Sequence, residues 1–268
     1  MFNQRHLKDS ELDPIKFSSR NYRYGFDAFQ TQPICAPILG YGTPGGATGN
    51  RNLMLSGTYP NLLLWEYAIL GAGQTILAPV LADAGLGIEL DKTDNEGAEY
   101  TPGGTGARGR FCFTIGGNDP AGRPAPAFFM RLKFTESDVS GTDECVIGFR
   151  KTEAIAAAYT SYTDYALIGQ VTADGKIKTA TRLNTGTAVI VDSTQTWADT
   201  ATHTLACEVY PNGSVRFAID GAFPTVSQVF TFDAGDVVQP VIRYLHATTT
   251  PQDVDLVEFE CGYRPRRT

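Results

Sequence analysis

The chain has 268 residues and a formal net charge of -7, and its isoelectric point lies near 5.0. Charged residues make up 19% of the sequence, below the roughly 25% of an average soluble chain. This acidic balance gives no general attraction to nucleic acid or to anionic membranes, so we expect neither as a partner. The shortage of charge indicates that part of the surface is uncharged or covered by neighbouring chains.

The first residues lack the apolar stretch of a secretory signal, and no apolar run approaches the roughly 18 residues of a membrane-spanning helix. We therefore expect synthesis in a cytosol with no membrane anchor. The five cysteines are widely spaced and form no C-x-x-C pair, which favours buried, reduced thiols over a metal site. We expect neither a metal nor another cofactor. The cysteines are Cys35, Cys112, Cys145, Cys207 and Cys261.

Residues 1–82 differ in composition from the rest of the chain. Residues 1–25 mix basic and acidic side chains without a regular period, and residues 26–82 are rich in Gly and Pro but poor in charge. This composition predicts an extended, irregular N-terminal arm over residues 1–82, followed by a domain over residues 83–268. Within the arm, the apolar run of residues 61–70 fits either a short helix or a buried strand.

Short runs rich in Val, Ile, Phe, Tyr and Thr follow one another from residue 86 onward, separated by Gly, Asp, Asn and Pro. So many short strands predict an all-β fold, an antiparallel β-sandwich of the jelly-roll type. The predicted strands are 86–90, 110–115, 127–135, 144–151, 165–172, 176–183, 188–191, 204–210, 215–219, 229–232, 238–246 and 254–263.

Two hairpin turns are marked by residue pairs that tolerate positive φ, Asp-Gly in residues 172–176 and Asn-Gly in residues 211–214. In the predicted strand 127–135, one set of alternating positions is wholly apolar and the other contains charged residues. This alternation predicts one face buried in the core and one face exposed to water. Its inward residues are Met130, Leu132 and Phe134, and its outward residues are Phe129, Arg131 and Lys133.

The run of residues 203–221 has the order strand, Asn-Gly hairpin, strand, Asp-Gly, with Trp197 just upstream. It resembles the concanavalin A-like and laminin-G-like jelly rolls, in which such a Trp packs near the core. Residues 85–97 resemble the first sandwich strand and turn of structural proteins from tailed-phage particles that have this fold. The resemblance implies a concanavalin A-like jelly roll in a virion.

The leading hypothesis is therefore a non-enzymatic structural protein of a virion, a decoration or cement protein of a phage capsid. The arm would bind the major capsid protein or other virion proteins, and the protein would form a homo-oligomer. Aromatic side chains in a segment with little core-forming pattern are the expected anchors. They are Phe2, Phe17, Tyr22, Phe26, Phe29 and Trp65.

A second hypothesis is a lectin-like module of a phage head or tail fibre that binds surface glycans. Aromatic faces offer apolar area with polar edges, which suits stacking on sugars. The candidate residues are Trp197, Tyr159, Tyr162 and Tyr165, and the alternative for all four is packing in the core.

A third and more remote hypothesis is a glycoside hydrolase. Residues 253–258 resemble the Glu-x-Asp-x-x-Glu strand of concanavalin A-like glucanases, in which the outer carboxylates perform retaining hydrolysis. Here Asp253 replaces the first Glu and is a methylene too short to pair with Glu258. The alternative is an ordinary last strand with Val254, Leu256 and, after a bulge, Phe259 facing the core. We therefore predict no catalytic site.

Two further patterns are candidate sites. Residues 91–97 are rich in acidic side chains, but Gly97 stands at the seventh position and Pro102 at the twelfth, which favours an acidic turn over an EF-hand calcium loop. A cation site of another type stays open as the alternative. The histidines His6, His203 and His246 stand at no ligand or catalytic spacing, which favours surface or strand positions.

Overall fold

The structure is a computed structural model, and it describes residues 23–27, 36–37, 51–55, 63–70, 80–82, 85–89, 97–102, 112–118, 122–247 and 253–264. In these ranges the regular elements are strands and two short 3-10 turns, Val139–Gly141 and Tyr159–Ser161. No helix in these ranges has both the length and the apolar character needed to cross a membrane.

The strands are β1 (Arg23–Asp27), β2 (Ala36–Pro37), β3 (Arg51–Leu55), β4 (Leu63–Leu70), β5 (Val80–Ala82), β6 (Gly85–Glu89), β7 (Gly97–Pro102), β8 (Phe113–Thr114), β9 (Phe128–Glu136), β10 (Thr142–Lys151), β11 (Tyr165–Gln170), β12 (Lys176–Arg182), β13 (Val189–Thr196), β14 (Thr202–Val209), β15 (Val215–Ile219), β16 (Val237–His246) and β17 (Asp253–Tyr263).

The described strands form two antiparallel sheets that face each other as a sandwich. The smaller sheet has the order β15-β14-β9-β17-β6-β5, and β1 also pairs with β17. The larger sheet has the order β13-β12-β11-β10-β16-β7-β4-β3-β2, and β8 also pairs with β16. This arrangement confirms the predicted all-β sandwich.

The N-terminal third differs from the predicted arm. Strands β1 to β5 all lie before residue 83, yet β1 pairs with β17 and β4 pairs with β7. These strands therefore belong to the same two sheets as the rest of the chain, and the predicted boundary at residue 82 does not separate them. The pairings of β1 with β17 and of β4 with β7 are long-range, so the local Gly and Pro content that suggested irregular structure does not reveal them. The run of residues 61–70, which the sequence left open, contains strand β4.

Both predicted hairpin turns are present. Strands β11 and β12 pair across residues 171–175, and strands β14 and β15 pair across residues 210–214. Gly175 has φ of 64° and Gly213 has φ of 85°, so each turn uses the positive φ that its Gly permits. Not every predicted strand forms, however, because residues 229–232 contribute only an isolated bridge between Ser214 and Thr231.

The main core lies between the sheets and includes Met130, Leu132 and Phe134 of β9, as the alternation predicts. In β17 the register shifts between Leu256 and Glu258, and Phe259 rejoins the core after the bulge. The predicted last strand with a bulge is therefore confirmed. Cys145, Cys207 and Cys261 are buried free thiols, as predicted, while Cys112 is half-buried.

Two glycines allow strands β10 and β11 to approach closely. A Cβ on Gly148 would lie 2.1 Å from the backbone oxygen of Ala166, and one on Gly169 would lie 2.0 Å from that of Cys145. Their φ angles are 151° and 147°, which residues with a side chain rarely adopt. The central pairing of the larger sheet therefore requires glycine at both positions.

The substitution Gly148→Ala should destabilise the fold by about 3–5 kcal/mol, because it combines backbone strain with a steric clash in a packed sheet. Urea unfolding measures the loss. Gly235→Ala is the matched control, since Gly235 also has a positive φ of 91° but has nothing within 4 Å of the added Cβ. Equal losses for the two variants would contradict the close approach as the cause.

A buried carboxyl group lies at one end of the core. Glu136 is fully buried, and no described nitrogen or oxygen donor reaches either of its carboxyl oxygens. Burial raises the pKa of Glu136 from 4.5 to about 8, and the negative charge of Asp199 adds to the rise, while the adjacent Cys145 thiol opposes it. Glu136 is therefore protonated at neutral pH in the folded protein.

Because the folded pKa of Glu136 lies above the unfolded pKa, its contribution to stability is fully present below about pH 4.5 and is lost as the pH rises through about 8. The variant Glu136→Gln should be more stable than wild type at pH 7 by about 2–3 kcal/mol, and the difference should vanish near pH 4. Chemical denaturation from pH 4 to pH 8 tests this. A difference that does not change with pH would show that Glu136 ionises normally.

Candidate functional site

The outer face of the larger sheet holds a buried ion cluster, formed by Glu99, Glu144, Arg150, Arg243 and Tyr162. Glu99 lies on β7, Glu144 and Arg150 on β10, and Arg243 on β16, all on strands that neighbour one another. Arg243 stands directly opposite Glu99 in the register of β16 and β7. The side chains of Glu99, Arg150 and Arg243 are wholly buried, which charged groups tolerate only when they are paired.

Each charge in the ion cluster has an opposite charge within hydrogen-bond distance. Arg150 Nε donates to Glu99 Oε1 at 2.8 Å, and Arg243 Nη1 donates to Glu99 Oε2 at 2.8 Å. Arg243 Nε donates to Glu144 Oε2 at 2.9 Å. Two guanidinium and two carboxylate groups therefore balance in formal charge. Burial by itself lowers the pKa of Arg243, but the carboxylates of Glu144 and Glu99 raise it above its ordinary value.

A cap segment, residues 152–163, lies over this cluster. Arg150 Nη1 donates to the backbone oxygen of Glu153 at 3.1 Å. Arg243 Nη1 and Nη2 donate to the backbone oxygens of Ala156 and Ala157 at 3.0 and 2.8 Å. The buried arginines thus hold the cap through its main chain, and together with the packing of its tyrosines this seals the ion cluster from solvent.

Three of the four residues considered for sugar stacking lie in or under the cap. Tyr159, Tyr162 and Tyr165 are buried in a cluster on this outer face. The Tyr162 hydroxyl donates to Glu99 Oε2 at 2.5 Å, and burial, together with the charge of Glu99, raises the pKa of Tyr162. Trp197 is buried in the main core, 4.6 Å from the Phe134 ring. The four residues expose no stacking face, so the packing alternative fits them and the sugar-platform interpretation does not.

The proposed arm anchors are placed only in part. Phe26 lies on β1 and pairs in register with Phe259, and Trp65 lies on β4 and pairs with Leu53. Their strands are sheet strands rather than a free arm. The role of the six anchors in partner binding stays a prediction. Phe2, Phe17, Tyr22 and Phe29 lie outside the described residues.

The position of Glu258 does not support the glycoside hydrolase hypothesis. Glu258 lies on the outer face of the smaller sheet, where it pairs with Arg131 at 3.3 Å and with Lys133 at 3.8 Å. The carboxylate thus belongs to a surface ion-pair group instead of facing a second carboxylate in a cleft. Within the described ranges, no three His, Cys, Asp or Glu side chains are placed to hold a metal ion. Residues 91–96 of the acidic turn lie outside those ranges.

An open groove of about 450 Å³ lies on the outer face of the smaller sheet, and we call it the sheet groove. The groove is open at its base because two small side chains, Ala206 on β14 and Ala218 on β15, lie directly opposite each other there. Arg131 on β9 pairs in register with Ala206 and closes one side. On this outer face of β14 and β15, the cross-strand pair that follows the two alanines is Glu208 and Arg216.

A tight turn after β15 builds the other wall of the sheet groove. Asp220 and Gly221 have φ of 51° and 81°, and Ile219 and Ala222 exchange backbone hydrogen bonds at 2.9 Å. This two-residue turn reverses the chain and brings Phe223 beside the groove. Phe223 is 65% exposed, so its ring is accessible from solvent beside the groove.

Most polar groups of the sheet groove are fixed by neighbours. Glu208 Oε1 accepts from Arg264 Nε at 2.9 Å, and Glu208 Oε2 accepts from the Tyr210 hydroxyl at 3.0 Å. Asp220 Oδ1 accepts from the backbone N–H of Thr204 at 2.8 Å. Burial, with the charge of Glu208, raises the pKa of Tyr210. The groove thus presents fixed planar polar groups beside an exposed aromatic ring.

Sequence reasoning missed the sheet groove, although part of its signal was visible. The predicted hairpin at residues 211–214 implies that Thr204, Ala206 and Glu208 share the outward face with Arg216 and Ala218. The position of Phe223 depends on the Asp-Gly turn at residues 220–221, and in the sequence this pair contributes only to the fold resemblance.

No protein-family model matches the chain, and no curated protein matches it. Among solved structures, a protein of unknown function from Shewanella oneidensis MR-1 is 11% identical over 96% of this chain and 97% of that chain, with a TM-score of 0.47. The carbohydrate recognition domain of Emp46p in its potassium-bound form is 9% identical over 73% of this chain and 88% of that chain, with a TM-score of 0.43.

Carbohydrate binding module CBM66 from Bacillus subtilis is 11% identical over 69% of this chain and 94% of that chain, with a TM-score of 0.38. None of these three structures is described as a virion protein, so the predicted capsid role gains no support from them. Similarity at this level gives no information on what this chain binds.

Proposed function

We propose that the chain is a non-catalytic, lectin-like module that binds carbohydrate in the sheet groove. The supporting observation is the exposed ring of Phe223 beside an open groove of about 450 Å³ with fixed polar groups. Small-ligand sites are concave, of about 300–1,000 Å³, with a few well-placed polar groups. Sugars match this combination because a pyranose has an apolar face for an aromatic ring and hydroxyls for planar polar partners.

The arrangement of the groove favours binding over catalysis. Both carboxylates in its lining, those of Glu208 and Asp220, already accept hydrogen bonds from neighbouring groups. Glycoside hydrolysis needs a pair of carboxyl groups that are free to act on the scissile bond, about 5 Å apart in retaining enzymes. The fixed carboxylates instead suit the recognition of sugar hydroxyls as hydrogen-bond acceptors.

This proposal replaces capsid decoration as the leading hypothesis, because it rests on a site within the described residues. Attachment to a virion and assembly into a homo-oligomer remain predictions from the sequence. Neither conflicts with a glycan-binding groove, since a lectin-like module functions on any assembly that exposes it.

The variant Phe223→Ala should weaken saccharide binding by about tenfold, because it removes the stacking face and leaves the sheets intact. A glycan array identifies a ligand for the wild type, and isothermal titration with that ligand measures the loss. Val229→Ala is the control, since Val229 is 89% exposed but does not line the groove. A wild type that binds no glycan, or a Phe223→Ala variant with full affinity, would refute the proposal.

The variant Ala218→Phe should weaken binding because its side chain occupies space in the groove. Ala218 points outward opposite Ala206, so a large side chain there fills the groove without entering the core. We expect at least about a tenfold loss of affinity with little change in melting temperature. Retained affinity in this variant would place the ligand elsewhere on the molecule.

A further inference from the structure

Arg216 differs from the other charged residues of the sheet groove. Arg264 pairs with Glu208 at 2.9 Å, and Arg131 pairs with Glu258 at 3.3 Å. Arg216 is exposed and forms no ion pair with any described residue, although Glu208 stands opposite it in register. Glu208 uses both carboxylate oxygens on Arg264 and Tyr210 instead.

Aromatic rings are the neighbours of the Arg216 guanidinium. Its Cζ atom lies 5.2 Å from the centre of the Tyr210 ring and 5.6 Å from that of the Phe223 ring. Cation–π contacts on two rings restrict the side chain to few rotamers but use none of its N–H donors. The guanidinium is therefore held in place with its hydrogen-bonding edge available.

A positioned guanidinium with free donors is suited to one chemical group in particular. Its planar fork matches a carboxylate, with two parallel N–H···O bonds, and such charge-assisted pairs are about twice as strong as neutral hydrogen bonds. The neighbouring carboxylate of Glu208 is neutralised in part by Arg264, which lessens its repulsion of an incoming anion.

We propose that the ligand of the sheet groove is an acidic saccharide whose uronate-type carboxylate pairs with Arg216 while its sugar ring stacks on Phe223. This inference rests on the proposed carbohydrate binding and adds the ligand's charge. The carboxylate and the sugar ring would be recognised by adjacent side chains, because Phe223 contacts both the guanidinium and the open groove.

The test compares acidic oligosaccharides with their neutral counterparts. Oligomers of galacturonate and of glucuronate are titrated into the full chain alongside the methyl esters of the same oligomers, which carry a methyl group in place of the negative charge. Sialyllactose is compared with its own methyl ester in the same way. We expect at least one acid to bind about tenfold tighter than its neutral partner, and this preference to shrink as salt is added.

Two variants test whether Arg216 causes the preference for acidic saccharides. Arg216→Gln should lower the affinity for the acid by a larger factor than the affinity for its neutral partner, so that the two affinities become equal. Arg216→Lys keeps the charge but loses the planar fork, so it should retain only part of the preference. Both substitutions are at the exposed position 216, and a thermal melt tests whether each variant is folded.

The outcomes separate this inference from the proposed function. Equal binding of acids and neutral partners, or an equal loss of both in Arg216→Gln, overturns the inference while carbohydrate binding stands. Binding of neutral glycans alone does the same. Failure of every saccharide, acidic or neutral, overturns the inference and the proposed function together.

Discussion

The contact between Arg243 and Glu99 is the constraint on which much of the described structure depends. It joins β16 to β7, and through Glu144 and Arg150 it also binds β10, so three neighbouring strands share one set of charges. Removal of either partner would leave a charge buried without compensation, which typically costs about 3–5 kcal/mol. The same guanidinium holds residues 156 and 157 of the cap. Sheet pairing and cap position are thus fixed by one electrostatic arrangement.

The two outer faces of the sandwich use similar side chains with opposite results. On the larger sheet, arginine and glutamate lie under the cap and are sealed from solvent. On the smaller sheet, no described segment covers Glu208 and Arg216 in this way, and the two alanines beside them leave room for a ligand. The two faces have similar polar side chains, but among the described segments only the face of the larger sheet has a cap over them. This difference determines that the polar groups under the cap stabilise the fold, whereas those in the sheet groove are available for binding.

Much of the fold follows from local sequence, and the site does not. Alternation predicts β9, and Asn-Gly predicts the turn before β15, because both signals lie within a few residues. Strand β1 escaped prediction because its partner β17 is far away in the chain, and β4 stayed undecided because its partner β7 lies about thirty residues further on. The ion cluster joins residues 99, 144, 150 and 243, and no spacing rule connects such distant positions. A charged residue between apolar neighbours, as in Ile242-Arg243-Tyr244, was the available signal.

The cap also has a consequence for how the sequence can vary over evolution. Arg150 and Arg243 bind it through backbone oxygens, and every residue type supplies such an oxygen. The side chains of residues 154, 155 and 157 are therefore under little constraint from these contacts, although Ala156 packs against the buried tyrosine cluster. The two arginines and Glu99, in contrast, depend on one another. Related chains should show an almost invariant charged set beneath a loop of changing sequence, a pattern that easily resembles an active site but arises from structure alone.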